Sequence, residues 1–270
     1  MWITLVVLAG QVSGFYPLFL KLGALSRRPV QNAELLLQSS EQADQKKNGV
    51  ICSGEKARME KFIAVAGNIG VGKTTLVNLL SEELGWMPFY EPVTENPYLA
   101  DFYEDMPAWG FHSQIYFLMR RMRIHRKLMD MSASVIQDRS VYEDAEIFAH
   151  NLFLQGAIND RDYGTYRELY QVLVEFLPPP DLVIYLRASV PTLIHRIARR
   201  DRDYERTIRA DYLADLNELY ESWVEDFQLC PVLILPCDDL DYVAKPQHLA
   251  LIVDKVRGIL MGKEEVQFNL

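Results

Sequence analysis

Residues 67–74 read Gly67-Asn-Ile-Gly-Val-Gly72-Lys73-Thr74, which fits the pattern G-x-x-x-x-G-K-[ST]. The apolar stretch Lys61–Ala66 before it predicts a strand, and Thr75–Leu84 after it predicts a helix. In that context the pattern indicates a P-loop, because glycine lets successive backbone N–H groups face phosphate oxygens at the positive end of a helix dipole. The residues predicted to bind nucleotide here are Gly67, Asn68, Ile69, Gly70, Val71, Gly72, Lys73, Thr74 and Thr75.

A P-loop predicts ATP or GTP binding without fixing the reaction, since GTPases, motor ATPases and small-molecule kinases share it. Lys73 is expected to reach the β- and γ-phosphates, and Thr74 to offer its hydroxyl to Mg²⁺. The P-loop alone therefore leaves both the donor nucleotide and the acceptor open.

Outward from the P-loop, short apolar stretches alternate with longer amphipathic ones. Four further strands are predicted, at Pro88–Glu91, Val135–Asp138, Leu182–Leu186 and Val232–Leu235. Long helices are predicted at Trp109–Met129, Val141–Leu154, Arg161–Phe176, Val190–Arg199, Ala210–Phe227 and Pro246–Leu260. Because the strands are largely apolar, they are expected to be buried on both faces. This pattern indicates an α/β fold with a five-stranded parallel sheet and helices on both faces.

Charge and cysteine content exclude some classes of function. The 270 residues include 28 Lys and Arg against 37 Asp and Glu, a net charge of −9, so no overall basic field would hold nucleic acid. The three cysteines form no C-x-x-C pair, which is typical of a reducing compartment and argues against a zinc site. We therefore expect a cytoplasmic protein with small-molecule ligands and no nucleic-acid partner.

The first 58 residues differ in composition from the rest of the chain. Residues 1–58 carry seven basic and four acidic side chains, whereas the remaining residues carry 21 basic and 33 acidic ones. Residues 1–20 are uncharged and just long enough to span a bilayer, although Gln11 and Pro17 weaken the case for a membrane anchor. Three interpretations remain open: a mis-assigned start with translation beginning at Met59, a membrane anchor and a targeting peptide. The expected organisation is an extension, 1–58, a catalytic domain, 59–262, and a tail, 263–270.

Charged side chains follow two of the predicted strands. Glu91 ends the second strand, and Asp138 and Arg139 end the third. The carboxyl ends of parallel strands are where ligands bind in open α/β sheets. Asp138 occupies the position of an acid that orients hydrated Mg²⁺, and Arg139 could neutralise charge on a transferring phosphoryl group.

The chain resembles the deoxynucleoside kinase family, in its bacterial deoxyadenosine, deoxyguanosine and deoxycytidine kinase branch. The resemblance covers residues 59–260 through AGNIGVGKTT, FYEPVTENPYLADFY, FHSQIYFLMRR, IQDRSVYEDAEIFA, PPPDLVIYLRASVPTL and RDRDYERTI, in this order and at the family's spacing. It implies a P-loop kinase fold with an arginine-rich lid. It also implies ATP-dependent, Mg²⁺-assisted phosphorylation of the 5′-hydroxyl of these deoxynucleosides in nucleotide salvage, by a homodimer that associates through two long helices.

The same resemblance implies roles on the acceptor side. Glu91 would lie beside the sugar 5′-hydroxyl and act as the base, although in that family Asp138 has also been assigned as the proton acceptor. The remaining implied substrate contacts are Gln114 to the base edge, Arg121 and Asp144 to the base, Phe148 against the ring, and Tyr103 and Glu205 to the 3′-hydroxyl. From the residues alone, Arg121 and Asp144 could equally form an ordinary interhelical ion pair, and Phe148 could be a core side chain.

The densest basic cluster lies between Val190 and Asp211. Arg196 and Arg200 are one helical turn apart and can face one anion. With Arg202 they resemble the family's lid, which implies that they bind the nucleotide and stabilise charge. Similar sequences usually have glycine where Asp201 stands, so Asp201 is expected to pair with a neighbouring arginine and slow closure. Two rival functions remain at this point: a nucleoside monophosphate kinase and a catalytically inactive structural relative.

Overall fold

The computed structural model describes residues 60–90 and 95–262. Its central sheet contains β1 (Phe62–Gly67), β2 (Met87–Phe89), β3 (Val135–Asp138), β4 (Leu182–Arg187) and β5 (Val232–Pro236). All four strand pairings are parallel, and the order across the sheet is β2-β3-β1-β4-β5. The predicted five-stranded parallel sheet is therefore confirmed. Residues 1–58, the tail 263–270 and Glu91 lie outside the described residues.

The sheet is buried on both faces because its side chains alternate between two apolar layers. Along β1, Ile63 and Val65 belong to one core cluster, whereas Phe62, Ala64 and Ala66 belong to the other. All six residues of β1 are buried. Burial on both faces excludes the alternating polar pattern of a one-sided sheet and confirms helix layers on each side.

The helices within the described residues connect these strands. They are α1 (Lys73–Leu84), α2 (Leu99–Glu104), α3 (Met106–Met129), α4 (Val141–Glu143), α5 (His150–Leu154), α6 (Asp160–Val174), α7 (Val190–Arg200), α8 (Ala210–Asp226) and α9 (Pro246–Leu260). A π-helical segment, Asp144–Ala149, joins α4 to α5, and a 3₁₀ turn, Asp203–Glu205, follows α7. Of the described helices, none is long and apolar enough to cross a bilayer.

Several predicted boundaries are wrong for local reasons. α3 begins three residues earlier than predicted, because the Asp105 carboxylate accepts a hydrogen bond from the Ala108 N–H at 3.1 Å and Pro107 follows in the first turn. α2 was not predicted. The single helix predicted over Val141–Leu154 contains the π-helical segment, and β2 ends at Phe89, before Glu91.

The order of the strands positions the site. β1 lies between β3 and β4, so the loops that follow these three strands meet at one edge of the sheet. The P-loop follows β1, the Asp138-Arg139-Ser140 turn ends β3, and α7 follows β4. The predicted phosphate site, the strand-end acid and the basic helix are therefore neighbours.

Candidate active site

The P-loop has the backbone that its glycines predict. Gly70 and Gly72 have φ values of 82° and 109°, in the left-handed region that glycine adopts without strain. A Cβ at Gly70 would also lie 2.6 Å from the Ile197 side chain, so no larger residue fits there. The Lys73 ammonium lies within the loop and donates to the carbonyls of Gly67 and Asn68 at 2.8 and 2.9 Å.

Two of the side chains predicted to bind nucleotide, Asn68 and Arg196, form hydrogen bonds that hold the P-loop in place. The Asn68 amide donates to the Leu213 carbonyl and to Asn217, both on α8, at 2.9 and 2.8 Å. The Arg196 guanidinium donates to the carbonyls of Val71 and Cys237 at 2.6 and 2.8 Å. Both side chains therefore contact protein groups, and these contacts fix the loop to α8 and to the end of β5.

Thr74 and Asp138 form the pair of oxygen donors expected at a magnesium site. The Thr74 hydroxyl donates to one carboxylate oxygen of Asp138 at 2.5 Å. The other oxygen, Oδ1, is buried and has no hydrogen-bond partner among the described residues. Mg²⁺ in kinases is held by one or two protein oxygens together with substrate phosphates, and this hydroxyl and carboxylate fit that requirement. No cluster of three or more His, Cys, Asp or Glu ligands occurs in residues 60–90 and 95–262.

The third strand ends in a strained residue. Arg139 has φ 68°, which is unfavourable for a residue with a Cβ. Its guanidinium lies over the Phe148 ring, 4.3 Å from the ring centre, and donates to the Tyr220 hydroxyl at 3.1 Å. Such strain is concentrated at functional sites and persists only where neighbouring groups enforce it.

One open cavity of about 1020 Å³ joins these elements to the acceptor side. The predicted site residues that line it are Ile69, Gly70, Val71, Gly72, Lys73, Thr74, Thr75, Tyr103, Gln114, Asp138, Arg139, Asp144, Phe148, Arg196, Arg200, Arg202 and Glu205. Gly67, Asn68 and Arg121 do not line it, and Glu91 is outside the described residues. The structure thus brings together most of the residues that the sequence singles out.

Arg121 and Asp144 form a buried ion pair at the inner end of the cavity. The Arg121 Nε donates to Asp144 Oδ2, and both side chains are almost fully buried. Asp144 contributes to the cavity wall, whereas Arg121 lies behind it. The Gln114 amide oxygen is buried without a hydrogen-bond partner in the described part of the chain. Gln114 and Asp144 are both among the residues that line the cavity.

The basic helix and the turn after it contact each other through ion pairs. Arg200 makes a two-pronged contact with the Glu205 carboxylate, with Nε and Nη2 at 3.0 and 2.6 Å. Arg202 lies 3.5 Å from the same carboxylate. The Glu205 side chain is buried. Asp201 pairs with Arg206 at 2.9 Å, which confirms the predicted pairing.

Sequence reasoning missed part of the cavity wall. The additional lining residues include Tyr90, Leu99, Phe102, Phe117, Arg199 and Tyr212, and a stretch after β5, residues 237–238 and 240–244. Leu99 and Phe102 lie on α2, which is too short to show a helical period. Two other buried polar residues behind the cavity, Glu143 and Tyr220, were also missed. The sequence Ser140-Val-Tyr-Glu143 could have revealed Glu143, because it has the spacing of a capping box.

A P-loop at the end of β1, a hydroxyl–carboxylate pair beside it and a joined acceptor cavity define the class: this is an α/β P-loop kinase. Residues 63–261 match the family model for deoxynucleoside kinase. The chain belongs to the deoxynucleoside kinase family.

Relatives with assigned activities match the same part of the chain. The deoxyadenosine/deoxycytidine kinase of Bacillus subtilis is 37% identical over 206 residues, which is 76% of this chain and 95% of the relative. The deoxyadenosine kinase of Dictyostelium discoideum is 36% identical over 192 residues, 71% of this chain and 77% of the relative. The deoxyguanosine kinase of Bacillus subtilis is 33% identical over 205 residues, 74% of this chain and 98% of the relative.

Solved structures agree with the sequence relatives. Deoxyadenosine kinase from M. mycoides with bound dATP has a TM-score of 0.66 and 33% identity, and the match covers 73% of this chain and 100% of that one. The same enzyme with the products dCMP and dCDP has a TM-score of 0.65 and 34% identity, with 73% and 99% covered. The predicted family, fold and enzyme class are confirmed, and the protein is an enzyme that phosphorylates nucleosides.

Proposed function

We propose that the enzyme transfers the γ-phosphoryl group of ATP to the 5′-hydroxyl of deoxyadenosine, deoxyguanosine or deoxycytidine, in nucleotide salvage. The observation that carries this proposal is the continuity of one cavity from the P-loop to Gln114 and Asp144. A phosphoryl donor at one end and a nucleoside at the other would meet at Asp138 and Arg139. The names of the matching relatives support these three bases.

Catalysis in this proposal rests on positioning and on charge. Lys73, Arg139, Arg200 and Arg202 surround the position of the transferring group with positive charge, as phosphoryl transfer requires. Thr74 and Asp138 would hold Mg²⁺, which when bound neutralises charge on the phosphate oxygens. Arg200 and Arg202 now contact Glu205, so we propose that they act as a lid and exchange this carboxylate for phosphate when nucleotide binds.

The acceptor end of the cavity supplies a general base for the 5′-hydroxyl and hydrogen bonds to the sugar and the nucleobase. Glu91 takes the proton of the 5′-hydroxyl, and Tyr103 with Glu205 contacts the 3′-hydroxyl. Gln114 and Asp144 recognise the base edge, with Arg121 behind Asp144, and Phe148 packs against the ring. A nucleoside monophosphate kinase would need an additional basic site for the phosphate of its acceptor. On the acceptor side, the cavity is instead lined by Tyr103, Gln114, Asp144 and Phe148.

We further propose that the enzyme is a cytoplasmic homodimer. The surface of α6 supports association, because Leu169 and Val172 are exposed on it and Phe176 follows just beyond its end. The two cysteines among the described residues, Cys230 and Cys237, are not joined in a disulfide, as expected in a reducing compartment. The extension 1–58 takes no part in this mechanism.

Substitution of the proposed base tests the mechanism. Glu91→Gln should lower kcat by about 10²-fold or more, since general-base catalysis contributes about 10² to 10⁴, and ATP binding measured by calorimetry should not change. Glu95→Gln is the matched control, because Glu95 is an exposed neighbour paired with Arg120. Lys73→Ala should remove nearly all turnover. Near-wild-type turnover in Glu91→Gln would contradict the assignment of the base.

A further inference from the structure

Arg139 has an unfavourable backbone conformation, and besides the Phe148 ring it contacts groups that do not line the cavity. Its backbone N–H donates to the Val65 carbonyl at 2.9 Å, which fixes the turn to the end of β1. Its guanidinium donates to the Tyr220 hydroxyl at 3.1 Å and lies 3.7 Å from Glu143 Oε1. Because a left-handed arginine does not keep this geometry unaided, its partners determine where the guanidinium lies.

Glu143 connects this arginine to the P-loop. The side chain has no exposed surface, and Oε1 accepts hydrogen bonds from the Gly67 N–H at 3.2 Å and from the Tyr220 hydroxyl at 2.8 Å. Oε2 accepts from the Ser140 N–H at 2.8 Å, which closes the capping box of α4. One carboxylate therefore contacts both the first glycine of the P-loop and the turn that contains Arg139.

Tyr220 brings a third element into the same network. It is fully buried on α8, and its hydroxyl lies 2.9 Å from the Gly67 carbonyl. Burial raises the pKa of Tyr220 well above its ordinary value, and the neighbouring Glu143 carboxylate raises it further. The Tyr220 hydroxyl therefore keeps its proton. It can therefore donate to Glu143 or Gly67 while it accepts from Arg139.

We propose that Glu143 and Tyr220 are positioning residues, which set the guanidinium of Arg139 against the P-loop for phosphoryl transfer. Neither side chain lines the cavity, so neither touches nucleotide or nucleoside. The inference rests on the proposed function, because it assigns to Arg139 the stabilisation of charge that develops during transfer. If the guanidinium is displaced, the transition state loses more stabilisation than the complex with either substrate does.

Tyr220→Phe tests the proposal with the removal of one oxygen atom. We expect kcat to fall about 10-fold or more, since small displacements of catalytic groups have effects of this size or larger, while KM for ATP and for nucleoside stays within about 2-fold. Tyr185→Phe is the matched control: Tyr185 is equally buried, stacks on Tyr220 at 5.4 Å, and directs its hydroxyl to Glu221, away from the site. The control should keep wild-type kcat, and melting temperatures check that both variants are folded at the assay temperature.

A double-mutant cycle distinguishes positioning from a structural role. If Tyr220 acts through Arg139, then Tyr220→Phe should lower kcat only slightly further in a protein that already carries Arg139→Lys. The reason is that lysine cannot reproduce the contacts of the guanidinium with Tyr220 and Glu143. Glu143→Gln should show the same non-additivity. Additive losses, or a wild-type kcat in Tyr220→Phe, would overturn this inference alone. Absence of nucleoside turnover in the wild-type enzyme would overturn the proposed function and this inference with it.

Discussion

At the scale of single residues, the buried pair of Arg121 and Asp144 has the clearest consequence for specificity. Both side chains are buried and paired, so loss of one would leave the other charge without this partner in the interior. Removal of one member of a buried ion pair typically costs about 3 to 5 kcal/mol, whereas replacement of both by apolar groups is often tolerated. Substitutions that test specificity should therefore change both residues together.

Thymidine should be a poor substrate because of this pair. It offers no exocyclic amine to Asp144, and its 5-methyl group would press toward the pair, so we expect a preference of about 10²-fold or more for a better substrate among deoxyadenosine, deoxyguanosine and deoxycytidine. The double variant Arg121→Met with Asp144→Ala should gain activity on thymidine. Values of kcat/KM for the four nucleosides check this. Equal use of thymidine by the wild-type enzyme would show that Arg121 and Asp144 do not have the roles proposed here.

His125 gives the fold a dependence on pH. Burial lowers its pKa from 6.5 to about 4, and the opposing contact with the Pro178 carbonyl is smaller. The unfolded chain binds this proton more readily than the folded one, so the contribution of His125 to stability is complete above pH 6.5. It is lost as the pH falls toward 4.

Urea unfolding at two pH values isolates this contribution. Between pH 7 and 4.5 the wild-type protein should lose about 2 to 3 kcal/mol more free energy of unfolding than His125→Gln, at 1.36 kcal/mol per pKa unit. The variant is the control for the carboxylates that titrate in the same range. Equal losses of unfolding free energy in the wild-type protein and the variant would contradict the conclusion that His125 is buried in its neutral form.

At the scale of elements, the end of α7 lies in the segment that we propose acts as a lid. Asp201 is its C-cap residue with φ 50°, a position that glycine occupies without strain, and it also pairs with Arg206. Both side chains of the pair are largely exposed, so the pair itself stabilises little. If this segment is a lid, Asp201 should therefore constrain it mainly through its backbone and a weak contact.

Asp201→Gly should make the lid easier to move. We expect kcat to rise by about 2-fold or more, with stability changed by no more than about 1 kcal/mol, because relief of strain offsets the greater freedom of glycine in the unfolded chain. Arg206→Ala removes the ion pair without changing the backbone at position 201, so comparison of the two variants separates strain from pairing. A kcat that falls in Asp201→Gly would contradict the predicted slowing of closure.

The elements also show where sequence reasoning succeeds. All five strands are predicted close to their positions, because each is a short stretch that is mostly apolar, and β1 and the first five residues of β4 are fully buried. The π-helical segment Asp144–Ala149 was predicted as ordinary helix, since apolar spacing does not separate 3.6 from 4.4 residues per turn over six residues. The P-loop and Asp138 follow from local sequence, but Tyr220 reaches Gly67 across 153 positions, a contact that no local pattern contains.

At the scale of the whole molecule, the exposed apolar side chains favour association. Leu169, Val172 and Phe176 recur at the spacing of one helix face and are 39%, 50% and 71% exposed. We expect a sedimentation mass of twice the 31.2 kDa of one chain at micromolar concentration. Val172→Glu with Phe176→Glu should shift this mass toward one chain, whereas Leu229→Glu, in the connection between α8 and β5, should not. A wild-type mass near that of one chain would exclude the homodimer.

We propose that the phosphoryl acceptor is a deoxynucleoside and not its 5′-monophosphate. The most direct measurement compares ATP turnover with deoxyadenosine, deoxyguanosine and deoxycytidine against turnover with their 5′-monophosphates. The acceptor side of the cavity is lined by Gln114, Asp144 and Tyr103, where a monophosphate kinase needs a second basic site. Turnover should therefore occur with at least one nucleoside and yield its 5′-monophosphate. Turnover with the monophosphates and none with the nucleosides would show that the acceptor is a nucleotide.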